Sequence, residues 1–164
     1  MMTVTAFGPF GNFKINPSEV LGRALFGDKL MVLPVSFRAV DDFLAELPAG
    51  TKKLLMLGVA AKAKHLRLER TATDHIGSRC DIDDVSRNRE KSTSAQGTLF
   101  NRLSAADCWI DSNDAGSYLC NYIYFEASTR YPGIATGFIH VPPFSAVPFP
   151  LQLIRLRRIV QQIQ

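Results

Sequence analysis

Cysteine is scarce in this 164-residue chain: three residues, an odd number, at Cys80, Cys108 and Cys120. That count excludes a disulfide scaffold and suits a reducing compartment, the cytoplasm, better than secretion. No run approaches the roughly 18 uninterrupted apolar residues of a membrane span. Met1–Phe7 has neither the charged head nor the long apolar stretch of a signal peptide. No repeat or low-complexity linker divides the chain. No Cys-x-x-Cys or His-x-x-x-His pair occurs, so neither zinc nor another cofactor is expected. Charge of one sign is also missing in bulk, since 19 Lys and Arg stand against 15 Asp and Glu. The basic residues are scattered, with small clusters at Lys62–Arg70 and Arg155–Arg158. They predict a solvated basic face rather than a nucleic-acid partner. What the chain does have is 46% hydrophobic residues at a net charge of only +4, which excludes disorder. Residues 1–164 fit one domain able to bury roughly 70% of its unfolded surface.

Strand and helix patterns alternate. Thr3–Phe7 is a short β-branched apolar run, and Gly8-Pro9-Phe10-Gly11-Asn12 is a turn-rich loop. Asn16-Pro17-Ser18-Glu19 opens a helix that Gly27 closes. Lys29–Val35 predicts a strand, Ala39–Leu47 a helix and Lys53–Leu57 a central strand. Leu66–Thr73 reads as a strand, Asp74–Gln96 as a long polar surface loop, and Thr98–Ala106 as a short helix. Cys108–Ser112 predicts a strand, Asn113–Gly116 a turn, Ser117–Tyr131 a helix, Ile134–Val141 the last strand and Pro148–Gln164 a closing amphipathic helix. The alternation predicts a three-layer α/β/α domain with a mainly parallel central sheet.

In such sheets ligands bind beyond the carboxyl ends of the strands. The first strand delivers Phe7 and the loop to Asn16, the third delivers Gly58-Val59-Ala60-Ala61, and the last delivers His140. Cys120 follows a glycine turn at a helix start, and Glu69 lies beyond the third strand. A thiol, an imidazole and a carboxylate are thus expected at one rim. A first-turn position lowers a thiol's pKa, and a neighbouring imidazole takes its proton and later gives it to a leaving amine. A third polar group must hold the imidazole's tautomer, and free N–H groups near Cys120 could receive an oxyanion. Each residue also has a plainer reading. A lone helical Cys is usually core, a lone strand His is usually structural, and an isolated Glu is usually at the surface.

Three pairs of stretches together resemble the pyroglutamyl peptidase I family, cysteine peptidases that remove N-terminal pyroglutamate. They are Ala6-Phe7-Gly8-Pro9-Phe10-Gly11 with Asn16-Pro17-Ser18, then Leu57-Gly58-Val59-Ala60-Ala61 with Leu68-Glu69-Arg70-Thr71-Ala72. The last is Asp114-Ala115-Gly116-Ser117-Tyr118-Leu119-Cys120-Asn121 with Gly137-Phe138-Ile139-His140-Val141-Pro142. The third pair is the most specific. The resemblance implies a thiol omega-peptidase with Cys120 as nucleophile, His140 as base and Glu69 as orienting acid. Phe7 and Phe10 would wall a pocket for the pyroglutamyl ring, beside Asn16, Val59 and Tyr118. Arg79 stands where the family carries an arginine near the site, as oxyanion partner or support. The implied partner is a peptide with N-terminal pyroglutamate, and the implied assembly a homo-oligomer in the cytoplasm.

The chain departs from the family pattern in places. Ala61 and Lys62 replace glycines, Thr71 an apolar residue and Asp74 an asparagine. The family's Arg-Ile-Pro-Asp-Asn run is not recognisable in Arg79–Asn88. The segments between Glu69 and Cys120 and after Pro143 are also short. A homologue acting on another small amide, or an inactive binding relative, therefore stands as the alternative.

Overall fold

A computed structural model of the protein describes residues 1–103 and 108–163. The chain begins with β1 (Met2–Phe7), whose end enters the Gly8–Asn16 loop. Asn16 caps α1 (Pro17–Phe26): its side-chain oxygen accepts from the Ser18 N–H, and Pro17 sits in the first turn, where no N–H is needed. A single 3-10 turn leads to β2 (Leu30–Leu33). Ser36 then caps α2 (Phe37–Ala45) through the Ala39 N–H. The helix starts two residues before the expected position, because Asp81, far along the chain, accepts from the Phe37 N–H at 2.7 Å.

β3 (Lys53–Val59) is buried along almost its whole length. The predicted strand 66–73 breaks in two at Arg70. The first part, β4 (Leu66–Glu69), stays in the main sheet, while β5 (Thr71–Thr73) leaves it and pairs with β6 (Ser94–Gln96). The polar stretch between them is an organised excursion rather than a free loop. Ile76 bridges Arg89. Asp74 accepts from the Ser92 and Thr93 N–H groups and the Ser92 hydroxyl, and Asp81 accepts from the Asp83 and Val85 N–H groups. Of the predicted helix 98–106, residues 98–103 form turns instead, and the remainder lies outside the described residues. β7 (Trp109–Ser112), α3 (Leu119–Arg130), β8 (Ala135–Val141) and α4 (Phe149–Ile163) complete the chain.

The sheet order is β2-β1-β3-β8-β4-β7. All neighbours run parallel except β4 against β8. Alternate residues face opposite layers. Leu55, Leu57, Ile139, Val141, Leu66 and Leu68 pack with α1 and α4. Leu54, Met56 and Phe138 pack with α2 and α3. Each face is therefore covered by a helix pair, which makes the three layers expected from the sequence.

Candidate active site

β2 and β3 lie on opposite sides of β1, so the direction of winding reverses between β1 and β3. A crevice opens where the two connections part, outside the carboxyl ends of these strands. A small cleft, partly open to solvent, occupies that place. Phe7, Phe10, Asn16, Val59, Tyr118 and Cys120 all line it, joined by Val35 and Leu119. The sequence reading had missed the last two. Val35 could have been found by the same logic that found Val59, since it follows the end of a neighbouring strand.

The candidate catalytic residues are brought together through strand register. In the parallel β3–β8 pair, Gly58 lies opposite His140. Paired residues of neighbouring strands point to the same face, and the strands lie about 4.8 Å apart. A Cβ built on Gly58 would stand 2.7 Å from Cys120 Sγ and 2.7 Å from the Phe138 ring. Only glycine therefore admits the sulfur at this spot, over the strand beside His140 and on the face from which the imidazole projects. The His140 ring leans on Phe138 two residues earlier, with centroids 4.8 Å apart. On its other side β8 pairs with β4, where Arg67 lies opposite His140 and Glu69 opposite Phe138. Glu69 Oε1 lies 2.7 Å from His140 Nδ1, and the carboxylate is fully buried. Because β4 runs backwards, the acid does not stand on the rim, as expected from the sequence. It reaches the imidazole from within the sheet, two residues deeper along β8.

No family model matches the chain. Among curated proteins it is 30% identical to the pyrrolidone-carboxylate peptidase of Pyrococcus furiosus, over 85% of this chain and 79% of the relative. It is 28% identical to that of Halalkalibacterium halodurans, over 87% of this chain and 83% of the relative. Among solved structures, pyrrolidone carboxyl peptidase from Thermus thermophilus superposes with a TM-score of 0.82 at 28% identity, covering all of both chains. The chain belongs to the pyrrolidone-carboxylate peptidase family. Pyrrolidone carboxylate and pyroglutamate are one compound, so this is the family that the sequence motifs resemble.

Within a pyrrolidone-carboxylate peptidase framework, the turn before α3 delivers Cys120. Gly116 adopts φ +85°, a conformation that side chains resist, and Tyr118 makes no side-chain cap to the helix. The first N–H groups of α3 are therefore left for another acceptor. The thiol is not depressed, as expected from its first-turn position. Burial pushes it up to about 12, the charge of Glu69 adds to that, and Arg79 and the Cys120 N–H only partly oppose it. Desolvation of the sulfur thus outweighs the groups that would favour a thiolate.

Arg79 is nearer the cleft than its unmatched surroundings suggested. Its guanidinium lies 4.7 Å from the centre of the Tyr118 ring and 5.5 Å from that of Phe10. Tyr118 is held in turn by its hydroxyl, which donates to the Cys80 carbonyl. Asn16 lines the cleft, but its amide is largely engaged by the scaffold. It donates to the Gly8 carbonyl and accepts from the Ser18 N–H and hydroxyl. The basic cluster 62–70 is not a uniform cationic face, since Arg67 contacts Glu69 and Arg70 contacts Asp111. Among the described residues, no group of three His, Cys, Asp or Glu could hold a metal ion, and no helix is long and apolar enough to cross a membrane.

Proposed function

We propose that the protein hydrolyses the amide bond after an N-terminal pyroglutamyl residue, with Cys120 as nucleophile, His140 as acid–base and Glu69 as the orienting acid. The observation that carries this reading is the arrangement at Gly58, which brings the Cys120 sulfur to the His140 face beside a Glu69-bound imidazole. An ionised carboxylate only accepts, so Glu69 fixes the proton on Nδ1 and leaves the Nε2 lone pair as base. The sulfur attacks the pyroglutamyl carbonyl carbon as its proton passes to Nε2. This transfer is needed because desolvation at the half-buried sulfur favours the neutral thiol. The tetrahedral oxyanion is received by the uncapped N–H groups of α3, and Arg79 lies beside the cleft as further support. The imidazolium gives its proton to the departing amine and the C–N bond breaks, leaving a thioester. Water, deprotonated by His140, then releases pyroglutamate and the thiol.

The cleft suits that substrate. A pyroglutamyl ring carries a neutral lactam in place of an ammonium, and aromatic walls with few polar partners favour it over a charged N-terminus. Phe7, Phe10, Val59 and Tyr118 supply such walls, with one remaining amide hydrogen of Asn16 for the lactam. The three free cysteines accord with a cytoplasmic setting.

Cleavage of a pyroglutamyl chromogenic amide tests the reading. Wild-type protein is expected to release the chromophore, the matching prolyl amide to remain intact, and Cys120→Ser to be inactive. Cleavage surviving in Cys120→Ser would overturn it.

A further inference from the structure

Glu69 is a fully buried carboxylate with an unusual set of partners. Oε1 carries both the 2.7 Å bond to His140 and a 3.3 Å contact with Arg67 Nε. Oε2 has no hydrogen-bond partner among the described residues. A buried carboxylate without a counter-charge is driven towards its neutral form, so a cation beside it matters. Arg67 is the one Lys or Arg in ionic contact with it among the described residues. Nη2 of Arg67 reaches the other way. It donates to Ser112 Oγ at 2.7 Å and to the Asp114 carbonyl at 2.9 Å. Asp114 in turn accepts from the Gly116 N–H, in the turn that delivers Cys120.

We infer that Arg67 is a positioning residue for the proposed reaction: it supplies the counter-charge to the buried Glu69 carboxylate that holds the imidazole, and it ties that pair to the turn carrying the nucleophile. The inference rests on the reading of Cys120, His140 and Glu69 given above. Register makes the arrangement specific. Arg67 lies directly opposite His140 across β4 and β8, and Glu69 is two residues on, so all three side chains emerge on one face. The other charged or titratable groups around the pair are differently engaged. From α3, Tyr124 donates to the Glu69 carbonyl rather than to its carboxylate, and Cys120 is the thiol itself. Arg79 stacks in the cleft, and Arg70 turns to Asp111 on β7. α4 packs on the opposite face through Leu156, Ile159 and Val160.

Removing the Arg67 cation takes away the one counter-charge beside the Glu69–His140 pair. Arg67→Met is expected to move the acidic limb of the kcat/KM profile for a pyroglutamyl amide to higher pH by about 1 to 3 units. The loss of rate is then greatest on the acid side, with KM little changed. Arg67→Lys keeps the charge but not the fork to Ser112 and Asp114. It should leave the limb in place and lower kcat modestly. If Arg67→Met does not fold, Arg67→Gln carries the same expectation. The pH dependence of Cys120 alkylation by iodoacetamide, followed by mass spectrometry, needs no pyroglutamyl substrate and should show the same upward shift. An alkylation shift in a protein that cleaves no pyroglutamyl amide leaves Arg67 standing and removes the substrate. A lowered melting temperature with an unmoved limb in both assays makes Arg67 merely structural and overturns the inference.

Discussion

The two faces of the central sheet are built from the same strands and differ in kind. Against α1 and α4, the strands present Leu55, Leu57, Ile139, Val141, Leu66 and Leu68, an aliphatic layer that does nothing but pack. Against α2 and α3, the alternate residues are Gly58, Phe138, His140, Arg67 and Glu69, overlaid by Tyr124 and Cys120. One residue of register separates a hydrophobic seam from the candidate catalytic groups. Both faces bury a core, and the α2–α3 face carries the candidate site as well.

Substitutions should separate those roles. The largest effect belongs to the chemical face: Glu69→Gln is expected to lower kcat by about 10^3- to 10^4-fold, because the imidazole loses its tautomer control. Thermal melting should move far less than activity. If stability collapses while turnover per folded molecule persists, Glu69 is a structural acid and the contrast fails. Gly58→Ala should come next. Its methyl would meet Cys120 Sγ and Phe138 at 2.7 Å, so something must shift. The expected result is at least tenfold slower alkylation of Cys120, since about 1 to 3 kcal/mol of overpacking falls on the sulfur and its neighbours. Ile139→Ala, one residue from His140 but on the opposite face, should show the reverse signature. Chemical denaturation should reveal a loss of about 2 to 5 kcal/mol, with unchanged kcat at temperatures where the variant is folded.

A smaller effect concerns acid. Burial raises the Asp81 carboxyl, but the N–H groups of Phe37, Val85 and Asp83 more than offset this and hold it below the usual aspartate value. The same balance, struck by Tyr122, Arg87 and Arg130, lowers Asp41 on α2. A carboxyl depressed in the folded state contributes stability in full above its unfolded pKa, about 3.9, and loses it as pH falls through the folded value. Hydrogen exchange at falling pH should therefore show residues 74–93 and the start of α2 opening before α1 and α4. Simultaneous loss of protection on both faces would remove the distinction.

Much of this was legible in the chain. Asn16 before Pro17, the alternation of β3 and β8, and the Gly116–Cys120 turn are local signals, and local physics decides them. The motifs around Glu69, Cys120 and His140 named the groups that the structure brings together. What could not be read depended on distant partners. Asp74 and Asp81 organise the polar excursion by accepting from residues up to 44 positions away. The break at Arg70 is fixed by the Ser112 carbonyl, which takes its N–H at 2.6 Å. Arg67 looked like one more solvated cation because its partner across the sheet could be known only from the reversed direction of β4. The thiol was misjudged for a related reason: its helix position is local, whereas the burial that overrides it is set by packing over Gly58.

The reversed β4 also divides the labour of the rim. Glu69 and His140 are matched by pairing inside the sheet, where neither depends on the shape of a connecting segment. Part of the cleft wall, Phe10 and Val35, hangs on those segments instead, with Arg79 beside it. Rebuilding the segment around Ala61 and Lys62, which follows the end of β3, would leave the pairing of Glu69 with His140 in place.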